Sequence, residues 1–235
     1  MASLPTTASV DSAGMLLAAN LGPDQSASGF ALRLRRARLG LIVALIAVVM
    51  IFVSYSSAYI VRQGLPSLDP STGTLVHDWL PLQLPSFLLV NTLVLLFSTL
   101  TMELARREAL REATATGKSA PPLVSGFHTE GMPWLLLTAG LGLTFLAGQW
   151  LVWRELAARG FYLSTSPSSS FFYLLTGAHG VHLLGGILAL LSASAASLLR
   201  QPVDSRGVMV DVTAWYWHFM TFLWVYIFCL LEFAR

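Results

Sequence analysis

FFYLLTGAHGVHLLGGILAL, residues 171–190, contains no Asp, Glu, Lys or Arg, yet it carries two histidines, His179 and His182, among glycines and branched aliphatics. A stretch of about 20 apolar residues at 1.5 Å per residue crosses the roughly 30 Å of hydrocarbon in a bilayer. Its character is repeated along the chain. Five uninterrupted apolar runs occur at about 39–61, 82–104, 134–153, 171–199 and 212–233. Of the 235 residues, 55% are hydrophobic and 11% charged, against about a quarter charged in an ordinary soluble domain. In hydrocarbon every backbone polar group must be satisfied within the structure, and the runs are too long for barrel strands. The expected fold is therefore all-α, a bundle of five transmembrane helices over 36–235.

The first 30 residues are rich in Ala, Ser, Thr and Gly and lack Lys and Arg before Arg33. A secretory signal would begin with basic residues. Residues 1–35 are expected to form a disordered or extended tail, and 113–125 (TATGKSAPPLVSG) a second loose segment. Basic residues near the ends of spans stay cytoplasmic. With the N-terminus inside, the inner segments hold Arg33, Arg35, Arg36, Arg38, Arg106, Arg107, Arg111, Lys118, Arg200 and Arg206, and the outer ones Arg62, Arg154, Arg159 and Arg235. This predicts N-inside, C-outside. The net charge of +2 argues against a nucleic-acid partner, and the single cysteine, Cys229, against a disulfide framework.

Polar residues inside the runs are expected to join helices. Asn91, Thr92 and Ser98 suit that role in the second run, and Gln149 in the third adjoins a small-residue ridge of Gly140, Thr144 and Gly148. In the fourth run, His179, His182 and Gly186 at i, i+3, i+7 occupy an arc of about 60° and are expected to face one neighbour. In the fifth, Trp215, His218 and Phe222 repeat the same spacing, which reads as a contact face. A haem needs axial ligands on opposite sides of its ring, so His179 or His182 would need His218 from another helix. Counted inward from the two membrane surfaces, His218 lies nearer the cytoplasmic face by about 10 Å. Packing histidines, without bound metal, are the reading preferred; a haem-bearing membrane cytochrome is the contrasting one. A transporter is disfavoured because no helix is broken and no charge lies at midplane.

FFYLLTGAHGVHLLGG (171–186) followed by WYWHFMTFLW (215–224) resembles subunit III of haem–copper oxygen reductases, typified by cytochrome c oxidase. LGLIVALIAVVMIFVSYSSAY (39–59), LPSFLLVNTLVLLFST (84–99) and GQWLVW (148–153) resemble, in order, other helices of that family over about residues 36–234. The form is the short bacterial one with five helices. The resemblance implies a multi-pass subunit of the bacterial cytoplasmic membrane that holds neither haem nor copper, both being in partner subunits. It implies binding beside subunit I, with subunit II in the same complex, possible membership of a respiratory supercomplex, and bound phospholipid. It further implies support of proton uptake and protection of the oxygen-reducing site. Family-motif positions for packing or interface are Asn91, Gln149, Gly177, His179, Gly180, His182, Gly186, Asp211, Trp217, His218 and Trp224. Catalytic and metal-ligating residues are expected to be none.

Departures from the family pattern bear on proton transfer. Ala47 and Val48 stand where members commonly have Ser-Glu, Val152 where a Glu is common, and Thr221 where an Asp is common. Asp211 replaces a usual Glu. Within the spans only Glu103 and Glu232 remain as carboxylates, both near interfaces. Within the same resemblance, a quinol oxidase subunit III and an accessory subunit of nitric oxide reductase are the alternatives.

Overall fold

The computed structural model describes residues 23–68, 73–76, 79, 84–116, 132–199 and 202–233. Helices α1 (Pro23–Gly64), α2 (Phe87–Thr116), α3 (Met132–Ala158), α4 (Pro167–Leu198) and α5 (Val203–Phe233) follow in order. All five are long and apolar enough to cross a membrane. A two-residue antiparallel ladder, β1 (Ser67–Leu68) and β2 (Leu75–Val76), stands between α1 and α2 and adds a small strand element to the expected all-α chain.

The helices outrun their apolar cores. Residues 23–35, assigned to the tail on sequence, continue α1 without a break, and the loose segment at 113–125 is helical through Thr116. The reason is local. ALRLRRAR (31–38) and ELARREALREA (103–113) consist of strong helix formers, and extending an existing helix needs no new nucleus. The remainder of both assignments, 1–22 and 117–125, lies outside the described residues.

Sequence punctuation sets the α3–α4 turn. Gly160 adopts φ +87°, with Gly160 N–H donating to Ala157 O at 3.0 Å and Phe161 N–H to Leu156 O at 3.0 Å. This pair of bonds is a Schellman end, which a residue with a Cβ enters only with strain. Ser166 then caps α4: its hydroxyl accepts from Ser169 N–H, Ser169 returns the bond, and Pro167 occupies the first turn.

Helices α2, α3, α4 and α5 form a closed ring in which each packs on the next and α5 returns to α2. Helix α1 lies outside the ring against α5 and α4. The core holds Leu95, Phe145, Phe172, Leu183, Trp217 and Trp224, all fully buried. At one end of the bundle Tyr59 packs edge to face on both Trp79 and Phe171, 5.0 Å and 5.8 Å away between ring centroids. Charged residues of α1, α2 and α5 meet at the other end.

Candidate functional site

The two halves of the recognised motif meet in the bundle core. Trp217 Nε1–H donates to Ser98 Oγ at 3.0 Å, and Trp224 Nε1–H donates to Thr92 Oγ1 at 3.0 Å, joining α5 to α2 twice. Both hydroxyls in turn donate to carbonyls of their own helix, Ser98 to Leu95 at 2.6 Å and Thr92 to Leu88 at 2.8 Å. Asn91 Nδ2–H donates across to Phe145 O of α3 at 3.0 Å. A Cβ on Gly148 would lie 2.2 Å from Asn91 Oδ1, so only glycine allows this approach. Thr101 and Thr138 hydroxyls lie 2.7 Å apart and give α2 and α3 a second tie.

The ridge expected on α3 is drawn differently. Gly140 has nothing near its Cβ position, and Thr144 donates to Gly140 O of its own helix at 2.9 Å. The close-packed glycines are Gly148 and Gly142, whose Cβ would meet Trp217 Cη2 at 2.6 Å. An i, i+4, i+8 stripe is one face of a helix, whereas α3 is enclosed on two sides, by α2 and by α4 with α5.

His179 is fully buried, its ring 5.0 Å from Trp224 and 6.0 Å from Phe145 between centroids. Neither of its nitrogens has a hydrogen-bond partner. His182 turns toward α1, its ring edge-on to Phe52 at 5.8 Å, and its Nδ1 lies 2.7 Å from Ala178 O. A carbonyl only accepts, so Nδ1 carries the proton. The histidines thus do not address one neighbour together. Residues three apart differ by about 60° around a helix, and α4 touches α1, α3 and α5, so that angle is enough to send the rings to different helices. Gly186 does face α5: a Cβ there would lie 3.1 Å from Tyr216 and 3.2 Å from Trp217. Tyr216 O–H also donates to His182 O at 2.8 Å.

The charged end forms a second polar centre. Asp211, fully buried, accepts from Arg38 Nε–H at 2.7 Å and Nη2–H at 2.9 Å, and from Arg106 Nη1–H at 3.1 Å. Arg106 also donates to Glu103 at 2.9 Å, as does Arg107, and His218 Nε2 lies 3.5 Å from the same carboxylate. One node therefore ties α1, α2 and α5. Arg206 of α5 pairs with Glu112 of α2 beyond it. The Arg38–Asp211 pairing spans 173 positions of sequence and was not foreseen; the clue available was an acid immediately before an apolar run. His218 belongs to this node. Trp224, which contacts His179, lies six residues further along α5, so the two histidines stand about 9 Å apart along the axis, too far for a shared ligand set. Among the described residues no three His, Cys, Asp or Glu side chains converge as a metal site.

Trp215 and Phe222, read as a contact face, are 46% and 73% exposed, and the Arg38 guanidinium lies 5.6 Å from the Trp215 ring centre. Val48 is half-buried against the core, Val152 is fully buried, and Thr221 donates to Trp217 O at 3.1 Å. Gln149 is buried on α3, with both amide atoms unpartnered. It lies in the wall of a cleft of about 210 Å³ between α3 and α4, beside Gly177 and Gly180. Trp153 Nε1–H, one turn on, donates to Thr176 Oγ1 at 3.1 Å.

These features define a class: a multi-pass helical membrane protein whose motif tryptophans and glycines join helices, with a charged node that ties three helices at one end. The family model for cytochrome c oxidase subunit III matches residues 31–234. The chain belongs to that family. It is 30% identical over 196 residues to cytochrome c oxidase subunit 3 of Thermostichus vulcanus, covering 82% of this chain and 85% of that one. With the Synechocystis protein of the same name it shares 30% over 194 residues, 81% of this chain and 72% of the relative. A probable cytochrome c oxidase subunit 3 of Mycobacterium tuberculosis is 31% identical over 102 residues, 43% of this chain. The chain spans half the length of that relative.

Proposed function

We propose that this chain is the accessory subunit III of a proton-pumping haem–copper terminal oxidase, cytochrome c oxidase, in aerobic respiratory electron transport. The observation that carries the reading is the family match over 31–234 on a bundle whose two motif helices, α4 and α5, bring Phe172, Leu183, Trp217 and Trp224 into the core. The chain acts without a cofactor of its own. Haem and copper reside in partner subunits, chiefly subunit I, with subunit II in the same complex and phospholipid along the helices. Its roles are to stabilise subunit I and support proton uptake. Val48, Val152 and Thr221 offer no titratable group, so uptake here does not run through those three positions. Asn91, Gln149, Gly177, His179, Gly180, His182, Gly186, Asp211, Trp217, His218 and Trp224 serve packing or subunit contact.

The node of Arg38, Arg106, Asp211, Glu103 and His218 lies on the cytoplasmic side of the bacterial inner membrane, the side to which basic residues at span ends are biased. The Tyr59–Trp79–Phe171 cluster lies on the outer side. Purification of a tagged chain in mild detergent tests the assignment. The expected result is co-purification of a haem–copper subunit I with its absorption spectrum, and a preparation free of haem and of subunit I overturns it.

A further inference from the structure

Gly177 and Gly180 stand apart from the other glycines of the core. Gly142, Gly148 and Gly186 are required by the chain's own packing, since a Cβ on them would meet neighbours at 2.6, 2.2 and 3.1 Å. A Cβ on Gly177 or Gly180 would make only ordinary contacts, 3.6 Å to Trp153 and 3.8 Å to Leu146. The space they leave faces the cleft between α3 and α4. In the same wall sits Gln149, 4% exposed, with no hydrogen bond at either amide atom. A buried carboxamide left without partners bears the desolvation penalty of its donor and its acceptor, and no partner for either stands among the described residues.

We propose that this cleft seats a transmembrane helix of a partner subunit. Gly177 and Gly180 let its backbone approach, and a change of rotamer of the Gln149 side chain toward the cleft presents its amide to a polar group on it. The depth of Gln149 selects this occupant. Arg154, the first charge after it, lies five residues on, so the amide is about 7.5 Å below the charged boundary along the helix. Acyl chains there have neither donor nor acceptor, whereas a crossing helix carries amides, hydroxyls and a closely approaching backbone. Small residues beside a hydrogen-bonding side chain are the combination that joins helices in lipid. The inference rests on the proposed membership of an oxidase complex, which supplies the partner helices.

The test uses the intact complex in native membranes. A photoreactive benzophenone replaces Val181, which lines the cleft and is 71% exposed, and the adduct formed on illumination is identified by mass spectrometry. An adduct with another membrane-spanning subunit is expected; adducts with phospholipid alone overturn the proposal. In parallel, Gly180→Ile and Gln149→Leu are expected to raise the fraction of this chain lost in mild detergent about three- to thirtyfold. Unchanged retention of both variants also overturns it. Loss of subunit I from the wild-type preparation would defeat the oxidase assignment itself; retention there with a lipid-only adduct would defeat the docking site alone.

Discussion

Asp211 and Gly148 show how single atoms decide packing here. Asp211→Ala leaves the Arg38 and Arg106 guanidiniums facing each other without their shared carboxylate. Removing one member of a buried pair costs about 3 to 5 kcal/mol; both arginines retain some access to water, so about 2 to 3 kcal/mol is expected once screening is allowed for. Arg107→Ala, at an exposed side chain, should leave the melting temperature in detergent unchanged, and equal losses for the two variants would contradict the node. Gly148→Ala drives a methyl into Asn91 and should cost about 1 to 3 kcal/mol, whereas Gly180→Ala, with room for its methyl, should melt at or above the wild-type temperature. His179 gives a sharper contrast. His179→Ala opens a hole between Phe145 and Trp224 worth about 2 to 4 kcal/mol. His179→Leu refills much of that space while removing two unpartnered nitrogens and should recover most of the loss. Equal melting of the Ala and Leu variants would mean that a polar partner of His179 matters more than its volume. In either variant, any complex that forms is expected to keep its haem spectrum, because His179 lies away from the haem-bearing chain's chemistry in the proposed assignment.

At the scale of helices, α1 differs from the rest. Within its spanning window 17% of residues are buried, against 39 to 44% in the other four. Apart from apolar contacts through residues such as Phe52 and Tyr59, it is anchored by Arg38 on Asp211. In hydrogen exchange of the detergent-solubilised chain, α1 amides should open before those of α2 to α5, and Asp211→Ala should widen the gap; uniform protection across all five helices would refute this. The five spans were legible in the sequence because apolar runs of bilayer length have few alternatives. Their true lengths were not, since α1 and α2 extend through charged, helix-favouring stretches that an apolar count passes over, and α5 begins in VDSRGVMVD (203–211), ahead of its apolar run. Partners were the least legible. Asn91 could be read as a bonding residue from its type, but Phe145 as its acceptor, or Arg38 with Asp211, follows from which helices the ring brings together. The divergence of His179 from His182 has the same origin.

For the molecule as a whole, charge and shape point the same way. The charged node and the basic flanks of α1 and α2 gather at one end, and the aromatic cluster at the other; the proposed N-inside topology puts the charged end in the cytoplasm. A cysteine introduced by Ser205→Cys, beside the node, should be shielded from a membrane-impermeant thiol reagent in intact cells, and one introduced by Ser164→Cys in the α3–α4 turn should be labelled. The reverse pattern would invert the topology.

The ring closes only through the pairing of α2 with α5, and α5 is the last of these helices to be synthesised. Until α5 is made, α2 has no partner on that side. The hydroxyls of Thr92 and Ser98 are already back-bonded to Leu88 and Leu95 of their own helix, so the waiting helix exposes no unmet hydroxyl donor there and keeps two oxygens ready to accept. The unmet donors are the indole N–H groups of Trp217 and Trp224, which arrive with α5 and find their acceptors on first contact. The pairing is thus asymmetric: the helix earlier in the chain carries acceptors already bonded to its own carbonyls, the helix later in the chain carries the donors, and without α5 the ring has three of its four members.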